Sequence, residues 1–317
     1  MILVTGSSGF VASALVPWLR KTDKVIGIDL KPCDLTDWVM DISSTAFSVE
    51  LAKFSDQEIS IVNLAAARFD FGAEADDYYR LNVLAHSEFL ESLESISINK
   101  FIHISSVASI DGSRISYSRE LDCDDAYRST KFRQEKLIRD WCAKKDIELV
   151  VLYPSAIFSD DSRSDTNIGK LQSISKFIPF IPIIDVAKSL TYLPNFARFI
   201  TDSVVNEIPA GNYLTIEKPT LTVSRMIQII SGRPIRLIRV PFLPLILKMI
   251  AKCLYVLGFF GKIDLKLTPN RVVKLFSDTS YGHVDCEDLD TETYSSRSGQ
   301  QLPEILANLT RGKGNAQ

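Results

Sequence analysis

The stretch Ile2-Leu-Val-Thr5-Gly6-Ser-Ser-Gly9-Phe-Val-Ala12 decides the fold of this chain. A short apolar run suited to a buried strand leads into two glycines three residues apart, and an apolar helical pattern follows at once. Glycine lets the backbone turn tightly and approach a pyrophosphate, and the N-terminus of a helix offers N–H groups and the positive end of its dipole. Ala12 replaces a third glycine, an exchange tolerated where helix and strand pack closely. The stretch predicts a dinucleotide-binding βα turn; an ordinary βα turn is the alternative.

The first 150 residues alternate short β-rich runs with helical patterns, which predicts a parallel sheet covered by helices. The strands are nearly continuous apolar runs, as expected when both faces are buried. Predicted strands are Ile2–Thr5, Lys24–Asp29, Ile59–Leu64, Phe101–Ser105 and Glu148–Leu152, and predicted helices include Tyr78–Leu93 and Tyr127–Lys145. The expected fold class is α/β, a Rossmann-type doubly wound parallel sheet, with ligands at the carboxyl ends of the strands.

The pattern changes after Tyr153-Pro154, where prolines become frequent and strands no longer alternate regularly with helices. We predict an NAD(P)-binding domain over 1–160, a smaller, irregular α/β substrate-binding lobe over 161–310 that interleaves with it, and a flexible tail over 311–317. The apolar stretch 240–261 is interrupted by lysines, and its uninterrupted run falls short of the ~20 residues that a membrane span needs. It predicts an amphipathic helix that covers the lobe; peripheral contact with a membrane is the alternative.

Composition excludes several classes of protein. The chain has 317 residues, 46% hydrophobic and 24% charged, which is a globular composition. A net charge of −3 provides no positive field for nucleic acid, so no nucleic-acid partner is expected. The cysteines form no CxxC pair and the histidines no HExxH motif, so neither a metal site nor a disulfide framework is expected. No basic segment precedes the first strand, so no signal peptide is expected and a cytoplasmic location is predicted.

Residues at strand ends extend the cofactor hypothesis. Asp29 ends the second predicted strand, where a carboxylate accepts hydrogen bonds from the ribose hydroxyls of NAD and repels the 2′-phosphate of NADP. The positive charge of Lys31 would weaken that preference. NAD is therefore the expected cofactor, and NADP is the alternative. Asp41-Ile42 either brackets an adenine or precedes a helix N-cap. The run Asn63-Leu-Ala-Ala-Ala67 either lets a cofactor pass close to the backbone or only packs.

Tyr127-Arg-Ser-Thr-Lys131, on a predicted helix, carries the expected chemistry. The i, i+4 spacing places both side chains on one helix face. Tyrosine has a reference pKa of ~10, and a nearby ammonium lowers that pKa by favouring the phenolate. Such a pair exchanges a proton with a hydroxyl while hydride moves to or from nicotinamide. Because the motif follows both the glycine turn and a strand ending in Ser105-Ser106, it indicates an oxidoreductase.

These motifs resemble the extended short-chain dehydrogenase/reductase superfamily, above all its NAD-dependent epimerase/dehydratase family, which acts on nucleotide sugars. The resemblance is carried by Thr5-Gly-Ser-Ser-Gly-Phe10, Asn63-Leu-Ala-Ala66, Asn82-Val83, His103-Ile-Ser-Ser106 and Tyr127-x-x-x-Lys131. It implies Ser106, Tyr127 and Lys131 as catalytic residues. Together with the turn, it implies cofactor contacts from Gly6, Ser8, Gly9, Phe10, Val11, Asp29, Asp41, Ile42, Leu64, Ala65, Ala66, Asn82, Ser105, Tyr127, Lys131, Pro154, Ser155 and Ile157, and substrate contacts from Arg68, Ser106, Val107 and Asn167.

Two departures from the family bear on the reaction. Val107-Ala108 stand where the dehydratase branch carries Asp-Glu, so 4,6-dehydration is not expected, and Tyr153 stands where the family often has arginine. The resemblance implies a 4-ketoreductase or 4-epimerase of surface-polysaccharide sugar synthesis that acts on a nucleotide sugar, expected to be a UDP-sugar, and, by analogy, a homodimer. A 3β-hydroxysteroid-dehydrogenase-like enzyme and a non-catalytic dinucleotide-binding regulator are alternatives, although such regulators usually lose the tyrosine or the lysine.

Overall fold

A computed structural model describes residues 1–67, 74–160, 180–205, 207–232, 235–243, 276–281 and 289–311, together with the single residues 168, 171, 175, 245, 246, 249 and 252. Arg68, Asn167 and the predicted tail after Arg311 lie outside the described residues. Most of the apolar stretch 240–261 lies outside them as well.

Seven parallel strands form the central sheet: β1 (Ile2–Thr5), β2 (Val25–Asp29), β3 (Trp38–Val39), β4 (Ile59–Asn63), β5 (Ile98–Ile104), β6 (Glu148–Pro154) and β11 (Gly211–Thr215). Their order is β11-β6-β5-β4-β1-β2-β3. The direction of winding reverses between β1 and β4, and in such sheets ligands bind beyond the carboxyl ends of the strands at this switch point. The predicted Rossmann-type sheet is confirmed, with β3 and β11 as strands that the sequence patterns missed.

Six short strands pair outside the central sheet: β7 (Ala156–Phe158) with β10 (Leu190–Tyr192), β8 (Phe180–Pro182) with β13 (Arg236–Ile238), and β9 (Ala187–Lys188) with β12 (Leu221–Thr222). The helices are α1 (Phe10–Leu19), α2 (Thr45–Ala52), α3 (Ala75–Tyr79), a π-helical turn (Arg80–Leu84), α4 (Ala85–Ser92), α5 (Val107–Gly112), α6 (Cys123–Lys145), α7 (Leu193–Val204), α8 (Val223–Ser231), α9 (Glu292–Ser298) and α10 (Leu302–Arg311).

Two predicted helices begin earlier than their apolar patterns indicate, and capping explains both differences. Helix α3 begins at Ala75 because the Asp77 carboxylate accepts a hydrogen bond from the backbone N–H of Glu74. Helix α6 begins at Cys123 because the Asp122 carboxylate caps it by accepting from the N–H groups of the first turn. A π-helical turn, of a kind often found at functional sites, interrupts the helix predicted over Tyr78–Leu93.

The side chains of the central strands alternate between two apolar cores. Val4 and Ile102 belong to the core that α1 and α7 cover, whereas Leu3 and Phe101 belong to the core that α2, α4 and α6 cover. Period-two alternation along each strand produces this division. Helices on both faces complete the doubly wound architecture and explain why the strands are apolar throughout.

Two compact units interleave along the chain. The first comprises Met1–Ile157, Thr191–Ile216 and Cys286–Ser298, and the second comprises Phe158–Leu190, Glu217–Asp285 and Gly299–Gln317. The chain thus leaves the first unit near residue 160 and later returns to it, adding β11 to the edge of the sheet beside β6 and packing α7 against α1. Within the second unit, α8 packs against α10. In the part of the chain that the structure describes, no helix combines the length and apolar character needed to cross a bilayer.

Candidate active site

The turn between β1 and α1 requires glycine for steric reasons. Gly6 has a φ of +72°, and a Cβ built on it would lie 2.9 Å from the backbone nitrogen of Ala65. The backbone N–H of Gly9 donates to the carbonyl oxygen of Gly6 at 3.0 Å, and a Cβ on Gly9 would meet that same oxygen. A side chain at either position would displace neighbouring backbone, so glycine sets the path of this turn.

Helix α1 starts directly from the turn, with Gly9 as its N-cap and, within residues 1–67, no side-chain cap hydrogen bond. Ser8 is exposed, whereas Phe10 and Val11 are half-buried. The Asp29 carboxylate lies against the turn, because Oδ2 accepts from the N–H of Ser8 and Oδ1 from the N–H of Lys31, both at 3.0 Å. A glycine turn, an uncapped helix start and a carboxylate beside them form a cradle that fits a dinucleotide.

The loop after β4 lies against the glycine turn. Thr5 Oγ1 accepts from the N–H of Ala65 at 3.2 Å, and Asn82 Oδ1 accepts from the N–H of Ala67 at 2.7 Å. Leu64 and Ala65 are half-buried and Ala66 is exposed. Asn82 itself is fully buried in the π-helical turn and also bonds Thr130 of α6. Asn82 therefore has a structural role, and its contact with a cofactor stays a prediction.

Asp41 and Ile42 lie at the start of the segment that leads into α2. Asp41 Oδ1 accepts from the backbone N–H of Ser43 at 3.0 Å and from its hydroxyl at 2.7 Å. Ser44 is the N-cap of α2, and Ile42 is buried in the core. The carboxylate of Asp41 thus orders the entry to the helix, and its predicted contact with adenine stays a prediction.

Ser105 and Ser106 lie in different environments although they are adjacent. Ser105 is buried, and its hydroxyl donates to Glu135 Oε2 at 2.6 Å. Ser106 is half-buried, caps α5 by accepting from the N–H of Ala108 at 3.2 Å, and is hydrogen-bonded to the side chain of Tyr127. This geometry favours Ser106 over Ser105 as the partner of the tyrosine.

Tyr127 is half-buried, and its ring packs edge-on against Tyr78, with ring centroids 6.1 Å apart. Burial raises the pKa of Tyr127 above its ordinary value, and the hydrogen bond with Ser106 acts in the opposite direction. The expectation that this pKa is lowered is wrong for the protein without bound cofactor. Desolvation of the phenolate is the largest effect, and it raises the pKa. Tyr127 is consequently protonated at neutral pH.

Lys131 is buried at 2% exposure, and its Nζ donates to the carbonyl oxygen of Ile104 at 3.0 Å and to Gln134 Oε1 at 2.7 Å. Burial lowers the pKa of Lys131 to about 8, although the Glu135 carboxylate opposes that shift. Gln134 Nε2 in turn donates to the carbonyl oxygen of Ala65 at 3.0 Å. Helix α6 is thereby hydrogen-bonded to Ala65, the residue that packs against Gly6.

His86 completes this polar chain, and sequence reasoning gave it no role. Burial lowers the pKa of His86 to about 4, so the ring is neutral. Its Nδ1 lies 3.0 Å from the carbonyl oxygen of Leu81 and therefore carries the proton, which leaves Nε2 to accept from Gln134 Nε2 at 2.7 Å. The ring thus fixes the orientation of the Gln134 amide that holds Lys131.

The remaining predicted residues lie at the ends of β5 and β6. Pro154 ends β6, and the N–H of Ser155 donates to Thr191 Oγ1 at 2.9 Å. Ile157 is half-buried in β7 and packs against the core, and Val107 is buried at the start of α5. For all of these residues, contact with a cofactor or substrate stays a prediction.

Glu135 is the main site residue that sequence reasoning missed. It is buried, and its Oε2 accepts from Ser105 and from Ser109, the latter at 3.0 Å. Its Oε1 accepts from Tyr153 at 2.5 Å and pairs with Arg139 at 2.9 Å. The available signal was the i, i+4 series Tyr127, Lys131, Glu135 and Arg139 along one face of α6. The tyrosine before Pro154 thus has a structural partner on that helix.

The sheet order, the glycine turn and the Ser106–Tyr127 pair define a dinucleotide-binding α/β enzyme. The model of the NAD dependent epimerase/dehydratase family matches residues 2–178, more than half of the chain. The chain belongs to that family, which confirms the family resemblance and the expectation of an enzyme. No curated protein gave a significant match.

Three solved structures of similar fold are of enzymes whose names give nucleotide-sugar substrates. UDP-N-acetylglucosamine 4-epimerase from Bacillus cereus has a TM-score of 0.65 at 12% identity, covering 100% of this chain and 97% of that chain. UDP-glucuronic acid 4-epimerase from Bacillus cereus, in complex with UDP-glucuronic acid and NAD, has a TM-score of 0.60 at 18% identity, covering 98% and 99%. A dTDP-4-dehydrorhamnose reductase from Clostridium acetobutylicum has a TM-score of 0.54 at 17% identity, covering 75% and 83%. At these identities the likeness shows the fold.

Glu135→Gln tests the buried network against a matched pair on the same helix. Removing the charge leaves Arg139 and the surrounding donors poorly matched, so the free energy of unfolding should fall by about 3 kcal/mol. The i, i+4 pair Lys136–Asp140 has side chains 64% and 66% exposed, and Asp140→Asn should change stability by less than about 0.5 kcal/mol. Urea unfolding measures both, and equal effects would contradict the assigned role of Glu135.

Proposed function

We propose that this enzyme transfers hydride at C4 of a nucleotide-activated sugar, as a 4-ketoreductase or a 4-epimerase. The observation that carries the proposal is the hydrogen bond between Ser106 and Tyr127 beyond the carboxyl end of β5, with Lys131 one helical turn away. Hydroxyl groups from a strand end and a helix converge there, as proton transfer at a sugar oxygen requires. The similarity to sugar-nucleotide epimerases and reductases supports the choice of substrate class.

In the proposed reduction, Ser106 holds the C4 carbonyl oxygen of the sugar through a hydrogen bond. Tyr127 gives its phenolic proton to that oxygen as the carbonyl becomes a hydroxyl, and the resulting phenolate regains a proton from solvent. A bound nicotinamide supplies or accepts the hydride. In the oxidative direction, Tyr127 takes the proton of the C4 hydroxyl instead.

The free enzyme holds Tyr127 in its protonated form. Its raised pKa keeps the phenol protonated near neutral pH, the form needed to donate to a developing alkoxide. Lys131 would hold the nicotinamide ribose; its Nζ lies at the Ile104 carbonyl, directly before the two serines.

The cofactor hypothesis rests on Asp29. Its carboxylate is held beside the glycine turn by the N–H groups of Ser8 and Lys31, where it would accept from ribose hydroxyls and repel a 2′-phosphate. We propose NAD as the preferred cofactor and a UDP-sugar as the substrate, with contacts from Arg68, Val107 and Asn167. A homodimer and a cytoplasmic location stay predictions.

The preference for NAD is tested by titration calorimetry with NAD and NADP. Wild-type protein should bind NAD more tightly, and Asp29→Asn should narrow the difference because it removes the charge that repels the 2′-phosphate. Thr36→Ser, a conservative change in the loop that follows Asp29, serves as the control. Tighter binding of NADP by the wild type would overturn the role given to Asp29.

Tyr127→Phe should lower turnover by about 100-fold or more, because it removes the proton donor and keeps the ring. Ser106→Ala should lower turnover about tenfold or more through loss of the hydrogen bond to the reacting oxygen. Ser105→Ala is the matched control: it should lower stability through Glu135 and change turnover less. Steady-state kinetics with NAD affinity measured in parallel decides the assignment, and a larger loss of turnover for Ser105→Ala would reverse it.

The two reactions differ in their use of cofactor. Incubation with a UDP-4-keto-6-deoxy sugar and reduced nicotinamide cofactor should consume the cofactor stoichiometrically if the enzyme is a reductase. An epimerase inverts C4 of a UDP-hexose with no net loss of reduced cofactor. Absorbance of the reduced nicotinamide, followed together with NMR of the sugar, distinguishes the two reactions. Inversion of C4 without consumption of reduced cofactor would identify the enzyme as an epimerase.

A further inference from the structure

We propose that an exposed surface of the second unit binds the surface of a membrane that contains anionic lipids. This docking surface consists of four exposed apolar side chains, Phe242, Leu245, Ile246 and Met249, together with the exposed Arg236 and Arg239 that precede them in the sequence. The proposal does not depend on the reaction catalysed.

The apolar part of the docking surface is unusually exposed. Phe242 is 77% exposed, Leu245 57%, Ile246 43% and Met249 60%. Residues 243, 245, 246, 249 and 252 are helical, and the N–H of Ile246 donates to the carbonyl oxygen of Phe242 at 3.0 Å. The spacing i, i+1, i+4 therefore places Leu245, Ile246 and Met249 along one stripe. Phe242 stands at its start, in the turn before the helix, with a φ of +56°. Single exposed apolar residues are ordinary, but a stripe of them marks an interaction surface.

Two other amphipathic helices of the same unit provide an internal comparison. Helix α8 buries Met226 and Ile230, and helix α10 buries Ile305 and Leu306. Their apolar faces pack inside the unit, whereas the stripe beginning at Phe242 faces outward. The exposed stripe is thus a property of this segment and not of every amphipathic helix in the unit.

The charge of the residues near the docking surface indicates what binds there. Arg236, Arg239 and Lys252 are exposed, and they precede and follow the apolar side chains in the sequence. From residue 233 to residue 274 the sequence contains the basic residues Arg233, Arg236, Arg239, Lys248, Lys252, Lys262, Lys266, Arg271 and Lys274, and a single acidic residue, Asp264. Since the whole chain has a net charge of −3, the rest of it carries −11. The positive charge is therefore concentrated in one segment.

An apolar stripe in a basic segment matches an anionic lipid surface, which accepts apolar side chains at the boundary of its headgroups and attracts Lys and Arg. A second copy of this chain fits less well, because a symmetric pairing would bring the same basic residues together. The shortness of the uninterrupted apolar run favours attachment at the surface of the bilayer.

The test is sedimentation of the full-length protein with vesicles of phosphatidylcholine alone or of phosphatidylcholine mixed with phosphatidylglycerol. We expect binding to the mixed vesicles, weaker binding to phosphatidylcholine alone, and weakening with added salt. Leu245→Glu/Met249→Glu should abolish binding. Arg236→Gln/Arg239→Gln should weaken it about 25-fold, since each basic residue near such a surface contributes about fivefold.

The matched control is Val49→Glu, a change at an apolar side chain that is 58% exposed on α2 in the first unit. It should leave vesicle binding unchanged, and all variants should keep the melting temperature and NAD affinity of the wild type. Absence of binding to the mixed vesicles, or full binding by Leu245→Glu/Met249→Glu, would overturn the proposal. A wild-type dimer that this double variant converts to monomer, without vesicle binding, would assign the surface to self-association instead.

Discussion

One buried carboxylate, that of Glu135, organises the region around Ser106 and Tyr127. Glu135 accepts hydrogen bonds from two serines that follow β5, from Tyr153 on β6, and from Arg139 one turn along its own helix. A buried charge is tolerated only when it is paired and hydrogen-bonded, so these partners must all be in place together. The network occupies the hydroxyl of Ser105 and leaves that of Ser106 to meet Tyr127. The packing of Glu135 thus determines which of the two adjacent serines meets Tyr127, the proposed proton donor.

A second set of contacts links helix α6 to the glycine turn between β1 and α1. Ala65 packs against Gly6 on one side, and its carbonyl oxygen accepts from Gln134 on the other. Gln134 also accepts from Lys131, the residue proposed to hold the nicotinamide ribose. The glycine turn and helix α6 are therefore both in contact with the loop that follows β4.

The sequence predicted those parts of the structure that local patterns encode. Apolar runs predicted β1, β2, β4, β5 and β6, and the glycine turn and Tyr127-x-x-x-Lys131 predicted the candidate site. Strand β11 was missed because it joins the sheet from distant sequence, and Glu135 was missed because its partners converge only in three dimensions. The pKa of Tyr127 was predicted in the wrong direction, since desolvation depends on packing that no spacing reveals.

The most direct measurement is a crystal structure of the Tyr127→Phe variant with NAD and UDP-glucose bound. We expect nicotinamide beside Ser106 and residue 127, and the C4 oxygen of the sugar within about 3.2 Å of Ser106 Oγ, the reach of a hydrogen bond. Cofactor bound away from the Gly6–Gly9 turn, or a sugar whose C4 oxygen points away from Ser106, would contradict it.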